Sequence, residues 1–265
     1  MNQSTFSVQI TKCTFKDCGT NDYVISIKAK PQSVLVQNNT IHFTVGDKTA
    51  TPLFLNTESF QLNENKIQNI KSTVVRFYGR NEDNDVFQII GNTFSECSGD
   101  SVIDAENLIK FTPIIKRNTF TDISIINQLM SLKLKNSIYQ VVFDNNTFCN
   151  FVINSKCGGI GLEVNHESTD ISLSLSFNDC YFINNNNQES QQQGGAISCG
   201  TFQNRGNCQL TIEDCFFERN HNNGKGCAIY FNNKYAITIV NCNFTDNIGS
   251  EKGTIYIVPD ESESP

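Results

Sequence analysis

The sequence predicts an all-β protein: a parallel β-helix, or solenoid, of about nine coils that occupies residues 1–258 as a single domain. Three observations lead to this prediction. A short motif recurs along the chain at a nearly constant interval, apolar residues within each repeat alternate with a period of two, and every repeat presents its residue types in the same order. Residues 259–265 are predicted to be an acidic, linker-like tail.

Each repeat consists of an apolar segment, a polar turn and an anchor residue that is usually Phe. The nine anchors are Phe15, Ile41, Ile67, Phe94, Phe120, Phe148, Phe182, Phe217 and Phe244. Successive anchors are 26, 26, 27, 26, 28, 34, 35 and 27 residues apart. A repeat length between about 20 and 50 residues is typical of stacked architectures.

Apolar side chains occupy fixed positions before each anchor. The residues five and seven positions before it are apolar in every repeat, and only Pro113, seven positions before Phe120, departs from this pattern. Residues two apart share one face of a β-strand, whereas a helical period of 3.6 fits none of these segments. Antiparallel hairpins of a sandwich would reverse the order of the columns in alternate strands. The constant order therefore favours parallel strands in coils about 4.8 Å apart.

The position two residues before each anchor holds Asn or Cys in all nine repeats. These residues are Cys13, Asn39, Asn65, Asn92, Asn118, Asn146, Cys180, Cys215 and Cys242. Asn tolerates the left-handed backbone of a sharp corner, and stacked Asn amides bond to one another at strand spacing. We therefore predict a structural ladder of Asn and Cys at one corner of the coils, beside an internal stack of the anchor Phe rings.

The 11 cysteines leave their pairing open. Stacked corner cysteines have Cα atoms about 5 Å apart, within the disulfide range, but parallel Cβ vectors suit the bond poorly, so free thiols are favoured. A disulfide between Cys199 and Cys208 is a second hypothesis. The chain has no CxxC pair and no His-rich spacing. We therefore predict no metal site and no cofactor.

The composition argues against several classes of function. The chain has 20 Lys and Arg against 27 Asp and Glu, a net charge of −7, whereas nucleic-acid binders usually carry a basic face. No apolar run approaches the roughly 18 residues of a transmembrane helix. The first five residues lack the basic start and apolar stretch of a secretory signal. We therefore expect the chain to be either intracellular or part of a longer protein.

The last three repeats carry two further motifs. FxxN occurs at 182–185, 217–220 and 244–247, and GGAI occurs intact at 194–197, altered at 226–229 and weakly at 252–255. Over about residues 177–258, these motifs resemble the repeats of the chlamydial-type polymorphic outer-membrane proteins, within the right-handed parallel β-helices of the pectin-lyase-like superfold. The resemblance implies a right-handed coil and a cell-surface or secreted, adhesin-like protein that is not an enzyme.

Polysaccharide lyases and hydrolases share this superfold, so an enzyme is the alternative hypothesis. Their sites need clustered carboxylates on the outer wall, either as an acid–base pair or as calcium ligands. Glu96 and Asp122 both follow an anchor by two residues, on neighbouring coils, where their carboxylates approach within roughly 5 Å. No further acid or base flanks them, which favours a solvated charged ridge. We therefore predict no catalytic residues.

The sixth and seventh intervals are longer than the others and hold polar insertions. Loops on a rigid scaffold commonly carry binding sites, so Asn165, His166, Asn185 and Gln192 are candidate binding residues. Disordered low-complexity loops are the alternative. We expect a non-catalytic surface module that presents loops to a surface glycan or a protein; the other hypotheses are a polysaccharide-active enzyme and a purely structural spacer.

Overall fold

The computed structural model is an all-β parallel solenoid, as the sequence predicts. It describes residues 6–18, 23–28, 31–44, 51–79, 86–108, 112–126, 129–134, 138–153, 160–161, 172–187, 194–199, 207–232, 235–251 and 253–258. Within these ranges every strand pairing is parallel and no helix occurs. The predicted tail, residues 259–265, lies outside the described residues.

The strands belong to four sheets. The first sheet has nine strands: Ser7–Thr11, Ser33–Gln37, Ser59–Asn63, Phe87–Ile90, Ile114–Lys116, Ile138–Asp144, Ser172–Asn178, Asn207–Glu213 and Tyr235–Val240. The second sheet has a main path of nine strands: Thr14–Lys16, Thr40–His42, Lys66–Gln68, Thr93–Ser95, Thr119–Ile125, Thr147–Ile153, Tyr181–Ile183, Phe216–Glu218 and Asn243–Thr245. Its short additional strands are Ser98–Gly99, Asn186–Asn187, His221–Asn222 and Ile248–Gly249.

The remaining strands follow the second-sheet strands in the chain. The third sheet consists of Tyr23–Ile27, Thr51–Thr57, Val75–Gly79, Ile103–Leu108 and Met130–Leu134. The fourth sheet consists of Ile160–Gly161, Ile197–Cys199, Ile229–Asn232 and Ile255–Val258. The nine strands on each main path match the nine predicted repeats, whereas the handedness and the number of complete turns stay predictions.

The strand register confirms the predicted columns. Phe120 is paired with Phe94 in the preceding coil and with Phe148 in the following one. Five residues before the anchor, Ile115 is paired with Ile89. Each residue type therefore stacks on its own kind, which is possible only because neighbouring strands run in the same direction.

The anchor Phe rings form a continuous stack inside the solenoid. The rings of Phe94 and Phe120 lie 4.8 Å apart with planes 3° from parallel. The stack continues through Phe148, Phe182, Phe217 and Phe244 at centroid distances of 4.8 to 5.2 Å. Burying each internal ring contributes roughly 1.5–3 kcal/mol, so the column of anchors is a main source of stability.

The predicted Asn ladder lies at the corner between the first and second sheets, and Asn118 shows its geometry. Its Nδ2 donates to the carbonyl oxygen of Ile89 (2.7 Å) and to Oδ1 of Asn146 (3.0 Å). Its Oδ1 accepts hydrogen bonds from the backbone N–H (2.9 Å) and the Nδ2 (3.0 Å) of Asn92. Every polar atom of this buried side chain therefore has its partners.

The left-handed backbone of this corner lies one residue before each ladder residue. The prediction that the ladder Asn residues themselves adopt it is therefore wrong. The residues with positive φ at this corner are Lys12, Asn38, Glu64, Gly91, Arg117, Asn145, Asp179, Asp214 and Asn241. All of them except the half-buried Gly91 are exposed. Because their side chains point away from the core, this position accepts Lys, Glu and Arg, whereas the buried position after it holds only Asn and Cys.

Cysteine occupies the ladder position in four coils as a free thiol. These residues are Cys13, Cys180, Cys215 and Cys242. The sulfur takes over the acceptor role of the amide, because the backbone N–H of Cys180 donates to Sγ of Cys215 at 3.4 Å. The preference for free thiols over bridges is confirmed for these four residues. The side chains of the hypothetical Cys199–Cys208 disulfide lie outside the described residues.

Candidate functional site

The Asn that ends each FxxN motif belongs to a second ladder, at the far end of the second-sheet strands. The Nδ2 of Asn185 donates to Oδ1 of Asn220 (2.9 Å), and the Nδ2 of Asn220 donates to Oδ1 of Asn247 (2.9 Å). Asn185 is only 1% exposed. The hypothesis that Asn185 is a binding-loop residue is therefore corrected, because its amide is buried and bonded within the scaffold.

The other three candidate binding residues, Asn165, His166 and Gln192, lie outside the described residues. In the third to sixth coils, apolar side chains take the place of the second ladder, whereas the same column holds the exposed Cys18 and Thr44 in the first two coils. Ile70, Cys97, Ile123 and Phe151 occupy that column and are at most 1% exposed. The second corner therefore changes from an apolar column to an Asn ladder along the solenoid.

Glu96 and Asp122 lie on neighbouring coils, as predicted, because the strands before them pair in register. Both side chains are exposed. Their φ angles are 54° and 55°, so the backbone of each residue is left-handed; Glu96 directly follows the strand Thr93–Ser95, and Asp122 lies within the strand Thr119–Ile125. This position therefore has a backbone role that accounts for a polar residue without any catalytic requirement.

The carboxylate of Asp122 belongs to a row of hydrogen bonds on the outside of this corner. Its Oδ1 accepts from Nδ2 of Asn150 (2.9 Å), and Oδ1 of Asn150 accepts from Nδ2 of Asn184 (2.9 Å). The hydroxyl of Thr121 donates to Oδ2 of Asp122 (3.1 Å). Among the described residues, no group of three or more His, Cys, Asp or Glu side chains could hold a metal ion. The geometry is that of a polar ridge.

Buried and half-buried thiols are the groups in the described region whose pKa values depart from their usual range. Burial raises the pKa of Cys97 to about 12. Burial, followed by the nearby carboxylate of Asp122, raises the pKa of Cys149. The hydrogen bond with Cys180, followed by burial, raises the pKa of Cys215. These thiols stay protonated at neutral pH and are poor nucleophiles, because the thiolate is the reactive form.

We expect the free energy of unfolding to fall as the pH rises above 9.0, the ordinary pKa of the thiol. The unfolded chain releases the Cys97 proton first, so the stability that this thiol contributes is complete below pH 9.0 and is lost as the pH rises through about 12. Urea unfolding at pH 8, 9 and 10 measures the slope. The Cys97→Ala variant should show a slope shallower by up to about 1.4 kcal/mol per pH unit; equal slopes would contradict the effect.

Aromatic side chains mark the outer faces of the sheets. On the second sheet, Tyr181 and Phe216 are 39% and 41% exposed, and their rings are parallel with centroids 5.1 Å apart. On the third sheet, the half-exposed rings of Tyr23, Phe54 and Tyr78 form what we call the third-sheet aromatic cluster. Ring centroids in this cluster are 4.7 Å apart for Tyr23 and Phe54 and 5.6 Å apart for Phe54 and Tyr78.

Sequence reasoning missed the third-sheet aromatic cluster. Phe54 lies between Leu53 and Leu55, which are both fully buried, so the run of apolar residues conceals that Phe54 points outward. The signal that could have found the cluster is the alternation in Val75–Gly79, where Arg76 and Tyr78 alternate with buried residues. Because Phe54 is paired with Arg76, the outward face of one strand predicts that of the next.

The comparisons with known proteins give no match. No protein-family model, curated protein or solved structure matches the chain. None of the described residues belongs to a helix that is long and apolar enough to cross a membrane. The function is therefore argued from the geometry of the described residues.

Proposed function

We propose that the chain is a non-catalytic, adhesin-like module of a cell-surface or secreted protein, which binds carbohydrate or protein through its outer faces. The observation that carries the proposal is the outward placement of aromatic rings on the strands, most openly those of Tyr181 and Phe216. Aromatic side chains offer a large contact area with few rotatable bonds. Fixed on a parallel sheet, they lose little further entropy when a partner binds.

The stacking of the two repeat motifs in neighbouring coils supports a relationship to a particular superfold and repeat family. Ile197, Ile229 and Ile255 pair in register, so the three GGAI copies stack, and the FxxN copies supply one Asn ladder. Each motif therefore has a structural reason to recur in successive coils of this part of the chain. These features favour the right-handed pectin-lyase-like superfold and the polymorphic outer-membrane protein repeat family that the sequence resembles, whose proteins are adhesin-like.

A binding experiment combined with an enzyme assay tests the proposal. We expect the biotinylated full chain to bind saturably to an array of immobilised glycans or to intact cells, and to release no product from polygalacturonate, alginate or chondroitin. Turnover that disappears in both Glu96→Gln and Asp122→Asn would establish the alternative, a polysaccharide-active enzyme. A folded chain with neither binding nor turnover would instead be a structural spacer. Thermal unfolding of each variant shows that its fold is retained.

A further inference from the structure

We infer that the outer face of the third sheet is a binding site for an uncharged oligosaccharide, centred on the third-sheet aromatic cluster; this rests on the proposed function. The rings of Tyr23, Phe54 and Tyr78 are tilted against one another by 44° and 49°. In the internal anchor stack, by contrast, Phe94 and Phe120 are 3° from parallel and cover each other's faces. Tilted, half-exposed rings leave part of each face open to a ligand.

Charged groups border these rings. The Nζ of Lys28 lies 5.8 Å from the ring centroids of both Tyr23 and Phe54. Arg76, the residue paired with Phe54, has its Nε 3.5 Å from Oδ2 of Asp104, and the two side chains are 33% and 16% exposed. The cluster therefore has an apolar centre with an ammonium group on one side and a guanidinium–carboxylate pair on the other.

The adjacent outward column adds an amide and a second carboxylate. Tyr78 is paired with Asn56 in one neighbouring strand and with Glu106 in the other. Together with Lys28, Arg76 and Asp104, the described side chains of the rim offer two cations, two anions and one amide. The formal charges cancel, and both donors and acceptors of hydrogen bonds are present.

This combination selects the class of ligand. A polyanion would meet the carboxylates of Asp104 and Glu106, and a polycation would meet Lys28 and Arg76. A purely apolar partner would remove these charges from water without replacing their hydrogen bonds. A pyranose ring has an apolar C–H face for the aromatic rings and a rim of hydroxyl groups that both donate and accept. An uncharged oligosaccharide therefore satisfies every part of the face.

The test uses the full chain and hexamers of glucose, mannose and N-acetylglucosamine, with a galacturonate hexamer as the charged probe. Because the chain has 7 Tyr and no Trp, the protein emission comes from tyrosines that include Tyr23 and Tyr78; the part of a ligand-induced change that is lost in Tyr23→Ala belongs to Tyr23, and calorimetry gives the affinity. We expect at least one uncharged hexamer to bind and to change this emission. Phe54→Ala and Tyr23→Ala should each weaken binding at least tenfold. Phe6→Ala removes a ring that is 42% exposed, directly before the first-sheet strand Ser7–Thr11, and is the matched control, with unchanged affinity.

The outcomes separate this site from the proposed function. Unchanged affinity in folded Phe54→Ala and Tyr23→Ala, with binding of the uncharged hexamer by the parent chain, would overturn the site and leave carbohydrate binding intact. Tighter binding of the galacturonate hexamer would overturn the class of ligand. If no hexamer binds but cells or a protein partner do, the site fails and the proposed function survives; if nothing binds, both fail. Because both substituted side chains point outward, the substitutions should disturb the core little. Thermal unfolding identifies any variant that is not folded.

Discussion

Replacing Asn118 with alanine should lower the free energy of unfolding by about 3 to 5 kcal/mol. The substitution removes four hydrogen bonds in which the Asn118 side chain takes part. It takes the acceptor from the buried backbone N–H of Asn92 and one of several partners from Nδ2 of Asn92 and Oδ1 of Asn146. The carbonyl oxygen of Ile89 loses the bond from Nδ2. An unsatisfied buried polar group costs about 1–3 kcal/mol, so the loss exceeds that of one ordinary hydrogen bond. Chemical unfolding of the full chain measures it.

Two further variants separate the ladder from general effects of removing an amide. Asn243→Ala removes an exposed Asn and should change the free energy of unfolding by less than about 0.5 kcal/mol. Asn118→Cys should be milder than Asn118→Ala, because Cys180 and Cys215 already occupy this column and the Cys215 sulfur accepts a hydrogen bond there. If Asn118→Ala is as well tolerated as Asn243→Ala, the ladder does not stabilise the coils.

The interior columns could be predicted from the sequence because burial restricts their residue types. Only an apolar side chain fits the anchor column, and only a side chain with its own bonding partners, or a small thiol, fits the corner. The repeated order then fixes the parallel register, which the pairing of Phe94 with Phe120 confirms. The regular spacing in the sequence was therefore sufficient to predict most of the fold.

The outer positions could not be predicted in the same way, because exposure leaves their residue types open. The left-handed corner accepts Lys12, Glu64 and Arg117 as well as Asn, so no single residue type identifies it. The outward ring of Phe54 is hidden within an apolar run. The proposed binding function would use the outer faces, so the candidate site was less predictable from the sequence than the fold.

The run of four Asn at 184–187 shows how composition can mislead. It resembles a low-complexity segment, yet its members occupy different environments. Asn184 has a φ of 57° and bonds within the outer row, Asn185 lies in the second ladder, and Asn186 and Asn187 form a short strand. One residue type thus meets three requirements, for a left-handed turn, an amide ladder and strand pairing. A sequence pattern cannot separate these requirements unless the position of each residue at the corner is known.

Replacing Gly195 with alanine should lower the free energy of unfolding by more than about 4 kcal/mol. A Cβ atom at Gly195 would lie 2.0 Å from the carbonyl oxygen of Cys227 and 3.0 Å from that of His221. Both contacts are with backbone atoms of the following coil, which are fixed by parallel pairing. The two coils would have to separate locally and give up their interstrand hydrogen bonds. We expect chemical unfolding of the full chain to show this loss.

The matched control is Gly91→Ala, because that glycine has a positive φ (68°) but more room for a Cβ atom. The nearest atom to a Cβ at Gly91 is Cγ of Glu64, at 3.2 Å, in a flexible side chain that can move. The left-handed backbone alone costs an alanine about 1–2 kcal/mol. Since stability in a solenoid is approximately a sum over neighbouring repeats, hydrogen exchange in Gly195→Ala should increase around residues 194–199 and stay slow around 86–108. Equal losses in the two variants would contradict the expectation that the close contact between coils at Gly195 adds a cost beyond that of a left-handed backbone.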